Sequence, residues 1–316
     1  MASAPRFCMD ESILSALHPS PQAAVAALEP LVQIGEEAVH HKGGPPEVVH
    51  HLYEITSNVS GRQFADVLFQ DILQHDRDFV VRVQRLYDRC TKFSALSDPP
   101  LPATLVIGPD QTFWLSHACA RLTSEVSKRQ SYYVLLHSVD PAFVGKATVA
   151  VDGQTVNSFL LCSSRDLPQA YRQYIVEGTQ SENDFLHVTD EAFPRLIFHP
   201  NVTLRRMSKA YGAIINDVVD HLSFLNDEFI DIGKRENWDL PNMMKQARIP
   251  FSEESGKTRG KEKLLKHRRV SFGQVVIECT LHTKISPQID RIHFHSPDDR
   301  IHPEKVLVGI LVDHLP

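Results

Sequence analysis

VVIECTLHTKISPQIDRIHFH at residues 275–295 and VLVGILV at residues 306–312 form the most strongly patterned part of the chain. In the first segment Val275, Ile277, Cys279, Leu281 and Ile285 fall on one side, and Glu278, Thr280, His282 and Lys284 on the other. That period of two is the mark of a half-buried antiparallel strand. Ser286, Pro287 and Gln288 supply a turn, after which Ile292 and Phe294 alternate with Arg291, His293 and His295 in a second strand. VLVGILV is apolar on both faces, which predicts a central, covered strand. If Lys284 pairs with Arg291, His282 stands opposite His293 and Thr280 opposite His295, because paired residue numbers in an antiparallel hairpin sum to a constant.

Ahead of this meander, GKTRGKEKLLKHRRV carries Lys257, Arg259, Lys261, Lys263, Lys266, Arg268 and Arg269 against the single acid Glu262. Such a run is either a solvated basic loop or a surface for phosphates. Gly256-Lys257-Thr258 does not make a phosphate loop, since Phe251 stands where that motif requires its first glycine. Further upstream, Leu204, Met207, Tyr211, Ile214, Val218, Leu222, Leu225, Phe229 and Ile232 alternate at steps of three and four, predicting one long amphipathic helix from Thr203 to Gly233. Its apolar seam would lie either against its own domain or against a second copy of the chain as a homodimer.

The remaining sequence reads as helical up to residue 95, with an apolar stripe through Phe64, Leu68, Ile72, Phe79, Val83 and Leu86. SALSDPPLP at residues 94–102 reads as a linker. Residues 103–107 and 132–137 read as strands, Gly108-Pro109-Asp110 as a turn, residues 115–128 as a helix, and Val151-Asp152-Gly153-Gln154 as a hairpin. The expectation is therefore an α+β protein with a helical domain at 1–95, a mixed domain at 96–200, and a domain at 201–316 holding the long helix, the basic segment and the antiparallel sheet.

Composition excludes several classes. With 42% hydrophobic and 23% charged residues the chain is globular rather than disordered or fibrous. It has no apolar run of the roughly 20 residues needed to cross a membrane, and residues 1–10 lack a signal-peptide pattern; the expectation is a cytoplasmic protein without membrane contact. Five dispersed cysteines form no CxxC, and a net charge of −6 leaves nucleic-acid binding to a local patch. The 17 histidines include the pairs His40-His41 and His50-His51, which have no carboxylate or cysteine spacing to complete a zinc set. Trp114, His117 and Cys119 read as core packing.

The chemistry therefore concentrates on the C-terminal sheet. His282 and His293 would act as an acid–base pair with Glu278 as orienting carboxylate and His295 nearby. Lys284 and Arg291 would clamp a phosphate, helped by Lys257, Arg259, Lys263, Arg268 and Arg269. No metal or other cofactor is needed for such a reaction. The alternative metal reading gathers His282, His293 and His295 with Glu278 or Asp290, as a histidine-metal hydrolase. The bland alternative is an ordinary polar sheet face on a non-catalytic, dimerising or partner-binding protein.

Strands of the type VVIECTLHTKI, DRIHFH and KVLVGILVDHLP, placed in this order behind helices and a basic stretch, resemble the closing meander of the RelE/HigB-type bacterial toxins. That resemblance implies a metal-independent endoribonuclease acting on messenger RNA, with Lys284, Arg291, His293 and His314 in play. It implies a bacterial stress or phage-defence effector whose partner is RNA. The chain departs from the family in the long region ahead of the sheet and in ending on Asp313-His314-Leu315-Pro316 rather than a basic tail.

Overall fold

Eight short strands, three of them in the region read as wholly helical, build one sheet. They are β1 (Arg6–Met9), β2 (Glu47–Val49), β3 (Thr91–Phe93), β4 (Pro102–Ile107), β5 (Asp110–Leu115), β6 (Tyr133–Leu136), β7 (Gly145–Val151) and β8 (Gln154–Leu161), in the order 3-2-1-6-8-7-4-5. These come from a computed structural model that describes residues 4–107, 110–129, 133–136, 144–286 and 289–315. The turn positions Gly108, Pro109, Pro287 and Gln288, and the ends of the strand expected at 132–137, lie outside the described residues. The chain is α+β and divides into two units, Met1–Gly178 and Thr179–Pro316.

In the first unit, β3, β2, β1, β6 and β8 are mutually parallel, whereas β7, β4 and β5 continue the sheet antiparallel. The expectation of a helical domain at 1–95 is thus corrected. β1 to β3 have three or four residues each, nearly all buried in β1 and β2 and only Phe93 buried in β3, so they show no alternation for the eye to catch. The helices are better marked. Ser20 precedes Pro21–Ala38, whose Ala24, Leu28, Leu31 and Ile34 are buried, and Arg77–Arg89 is capped by Asp76 accepting the Phe79 N–H at 2.9 Å. The proline-rich segment expected to join two domains instead connects β3 to β4 of the same sheet. The hairpin at Asp152-Gly153 forms as read: Val151 pairs with Gln154, and both turn residues have positive φ, 49° and 75°.

Chain order along the parallel strands runs from β1 to β2 to β3 on one side, while β6 enters on the other side of β1. The order reverses between β1 and β6, and crevices for ligands form at such points beyond the carboxyl ends of the strands. Asp10 and Glu11 directly follow the end of β1.

The second unit is built on β9 (Leu196–Phe198), β10 (Phe251–Glu253), β11 (Arg269–Phe272), β12 (Val275–Glu278), β13 (Leu281–Lys284), β14 (Arg291–His295) and β15 (Val306–Val312). Five of these form a sheet in the order 10-13-14-15-9, and β11 pairs with β12 in a separate ribbon. The meander register is the expected one, with His282 opposite His293 and Lys284 opposite Arg291. All seven residues of β15 are buried, as its apolar faces require. Gly309 in β15 has a specific reason: a Cβ there would lie 2.4 Å from Cys279 Sγ, so only glycine permits the approach.

The helix expected from Thr203 to Gly233 begins only at Tyr211 and is two helices, Tyr211–Asp227 and Phe229–Arg235. Their seam residues Ile214, Val218, Leu222, Leu225, Phe229 and Ile232 are buried within this unit. Phe229 meets Phe251 of β10 and Phe294 of β14 edge-on, at 5.3 and 5.1 Å between ring centroids, which ties the helices to the sheet. The stripe that suggested a homodimer is committed to the chain's own core.

Candidate functional site

Three strands place one residue each on a shared sheet face. Ser252 of β10 is in register with His282 of β13, which is in register with His293 of β14. Just past β10, Glu254 donates its backbone N–H to the Thr280 carbonyl at 2.9 Å, and its side chain turns to the two imidazoles. Glu254 Oε1 lies 3.9 Å from His282 Nδ1 and 3.7 Å from His293 Nδ1, while Arg268 Nε donates to it at 2.9 Å. Sequence reasoning missed Glu254 because β10 has three residues with no alternating pattern, ahead of a basic segment.

This cluster is not the open catalytic face that the sequence pattern suggests. His293 is 0% and His282 5% exposed. Burial holds His282 down at about 4 and His293 at about 3, the latter helped by the neighbouring His282, so both rings are neutral at pH 7. His282 Nε2 meets Ser252 Oγ at 3.2 Å, but among the described residues His282 Nδ1 has no hydrogen-bond partner and the His293 ring has at most a backbone contact with Cys279.

The other expected site residues disperse. The single strand read from Val275 to Ile285 breaks at Cys279 and Thr280, where the Thr280 N–H bonds back to the Glu278 carbonyl at 2.9 Å. Alternation fails across that turn, so Glu278 stays on the β11–β12 ribbon and pairs with Arg269, away from the sheet that holds the histidines. His295 follows a register shift between His293 and Phe294, and its Nδ1 meets the Ser296 carbonyl at 2.6 Å. Of the phosphate-clamp candidates, Lys257, Lys263 and Lys284 are exposed, and Arg291 is half-buried beside Lys284. Arg259 is paired with Glu253, Arg268 is buried on Glu254, and Arg269 is held by Glu262 and Glu278. Asp290, a candidate metal carboxylate, instead accepts from Ser208 N at 2.7 Å and from the Ser208 hydroxyl. His314 is exposed at the end of the chain.

An open cleft of about 170 Å³ lies elsewhere in the same unit, lined by His199, Asn201, Thr203, Arg206, His267 and Arg269 above Gly309 to Leu311 of β15. His199 continues β9, its N–H bonding the Val308 carbonyl at 2.9 Å. Its ring stands edge-on to Phe272, and Nδ1 accepts the Asn201 N–H at 3.2 Å. That bond puts the proton of the neutral ring on Nε2, so His199 offers the cleft a donor. Arg206 and His267 are exposed.

In the first unit a larger cleft of about 450 Å³ opens at the carboxyl end of the parallel strands, lined by Glu11, His51, Glu54, Asp98 and His117 among others, with no lysine or arginine among the described residues. His51 and His117 meet through their Nε2 atoms at 3.2 Å. Burial and the nearby His51 lower the His117 pKa. Glu11 accepts from the backbone N–H groups of His117 and of Ala118, the latter at 3.1 Å, and so caps helix His117–Arg129. Burial, with Asp10 beside it, nevertheless pushes Glu11 up to about 8 from 4.5, the amides working against that rise.

Because the folded state holds a Glu11 proton that the unfolded chain has already released, the stability gained from this group is full below about pH 4.5 and lost as pH rises through about 8. Protection of the β1 amides against hydrogen exchange should fall by a few kcal/mol between pH 5 and pH 8.5 after correction for intrinsic rates, each tenfold change in proton affinity being worth about 1.4 kcal/mol. Glu11→Gln should flatten that dependence. Equal slopes in both proteins would refute the assignment.

Compared with protein-family models, with curated proteins and with solved structures, the chain finds no match. Among the described residues, no helix is long and apolar enough to cross a membrane.

Proposed function

We propose that the unit Thr179–Pro316 binds the phosphate backbone of RNA at the His199–Arg206–His267 cleft and cuts it without a metal ion. The observation that carries this reading is the lining of that cleft. His199 brings an Nε2–H donor, Arg206 an exposed guanidinium, Asn201 and Thr203 partners for a hydroxyl, and His267 an exposed imidazole. Guanidinium and N–H donors suit phosphate oxygens, and a hydroxyl-reading pair distinguishes ribose from deoxyribose. Exposed Lys257, Lys261, Lys263 and Lys266 extend the positive surface along the strand of nucleic acid.

RNA carries its own nucleophile, which is why a small set of groups is sufficient. His267 removes the 2′-hydroxyl proton, the 2′ oxygen attacks phosphorus, and Arg206 and His199 stabilise the charge on the non-bridging oxygens. The 5′ oxygen leaves with a proton taken from solvent water, while the His267 imidazolium returns its proton to the solvent, giving a 2′,3′-cyclic phosphate and a 5′-hydroxyl end. The buried His282–His293 pair takes no part, since no phosphodiester reaches a ring that is 0% exposed.

Purified full-length protein with labelled single-stranded RNA, in the presence of EDTA, tests this. Arg206→Ala should weaken binding and reduce the salt slope by about one phosphate contact. His267→Ala should keep binding and lose cleavage by about 100-fold or more. RNA that is neither bound nor cut would end this reading, and cleavage abolished by EDTA would replace it with metal-dependent chemistry. Binding without cleavage would reduce the unit to a recognition module. The cleft of the first unit favours a separate role, because its described lining holds the acids Glu54 and Asp98, a Glu11 that keeps its proton up to about pH 8, and no lysine or arginine, which suits a neutral or cationic small ligand rather than a phosphate.

A further inference from the structure

We propose that Glu254, His282 and His293 form a binding site for one divalent cation, zinc or a similar first-row metal, inside the second unit. One ligand atom from each residue lies within 4.8 Å of the other two, with Glu254 Oε1 at 3.9 and 3.7 Å from the two Nδ1 atoms. A tetrahedral site with bonds of about 2.1 Å sets its ligand atoms about 3.4 Å apart, so the two carboxylate–imidazole distances need only a few tenths of an ångström of closure, and the two imidazoles, within 4.8 Å of one another, need up to about an ångström more by rotation of the rings. Two imidazoles and a carboxylate are a donor set that such cations prefer.

The second observation is the unmet bonding capacity. Buried polar atoms nearly always have partners, yet among the described residues His282 Nδ1 has none and the His293 ring has at most a backbone contact with Cys279, so at least one of its nitrogens is left over. When Ser252 Oγ accepts from His282 Nε2–H at 3.2 Å, the lone pair of His282 Nδ1 points toward a carboxylate oxygen. Two electron-rich atoms so placed call for a cation between them. The outer contacts are those of a metal centre as well, because Ser252 fixes the His282 ring and Arg268 fixes the Glu254 carboxylate. Both rings, held neutral by burial, are ready ligands at pH 7. The Arg268 guanidinium also opposes the incoming charge, which sets a moderate rather than an extreme affinity.

The site is separate from the proposed RNA cleft, and its test does not read activity. Full-length protein is stripped with chelator, dialysed, and titrated with Co²⁺ as a spectroscopic probe, then with Zn²⁺. We expect one tightly held Co²⁺ per chain, with a ligand-field spectrum of low coordination number that Zn²⁺ displaces. With 17 histidines, loose surface binding is expected too, and it will persist in His282→Ala while the specific spectrum disappears. Ser252→Ala keeps all three ligands and should bind about 10–100-fold more weakly with an unchanged spectrum; it carries the test if His282→Ala fails to fold. No specific spectrum in the unsubstituted protein, or the same spectrum in His282→Ala, would overturn the site and leave a buried water as the partner of the orphaned nitrogens.

Discussion

Arg268→Ala is expected to unfold the Thr179–Pro316 unit under conditions in which the unsubstituted chain is stable. Arg268 is 2% exposed; its Nε bonds Glu254 Oε1 at 2.9 Å, and another guanidinium nitrogen bonds the Leu264 carbonyl at 3.0 Å. Removing the arginine leaves the Glu254 carboxylate buried without its counter-ion, which costs about 3–5 kcal/mol. A domain has only about 5–15 kcal/mol in total, so most of the margin goes. The stranded charge is the cause rather than the lost attraction, so replacing both partners should be milder. Urea unfolding of Arg268→Ala, Glu254→Gln and Arg268→Leu/Glu254→Leu measures this directly. If the double variant is less stable than Arg268→Ala, the pair contributes net attraction and the explanation by stranded charge is wrong.

Acid is expected to unfold the same unit early, with the loss starting near pH 6.5. His282 and His293 titrate at about 4 and about 3 in the folded chain against the 6.5 of an ordinary exposed histidine, so below pH 6.5 the unfolded chain takes up two protons that the folded one does not. Stability from these groups is full above pH 6.5 and falls as pH drops toward 3, by a few kcal/mol at pH 4. Chelator-treated protein isolates this effect from any metal release. His293→Leu, which replaces a buried ring with an apolar side chain, should shorten the pH-dependent fall even if it lowers stability at pH 7. A urea midpoint that is the same at pH 7 and pH 4.5 would show that the rings are hydrated rather than buried.

The C-terminal meander was legible because both determinants of its register are local. Alternation assigns faces, and the short connection between Lys284 and Arg291 sets which residues pair, so His282 falls opposite His293. The helices were legible where caps and apolar steps agree, as at Asp76 ahead of Arg77–Arg89. β1 to β3 were not, because three or four residues, buried in β1 and β2 and mostly exposed in β3, are too few to carry a period. Glu278 was misplaced by a single turn: one backbone bond from Thr280 N–H to the Glu278 carbonyl breaks the count on which the face assignment depends.

By itself, the sequence determined the α+β class, the antiparallel meander with its register, and the apolar stripe that holds the helices on the sheet. Those features follow from periodicity and from steric rules that act over a few residues. Only the tertiary structure decided which residues meet. It brought Glu254 from the edge strand to His282 and His293, set His199 and Arg206 across from His267, and placed Glu11 at the amino end of a helix more than a hundred positions later. It also covered the histidine face, because a charged or polar pattern on a strand says which residues share a side but not whether another layer packs over them.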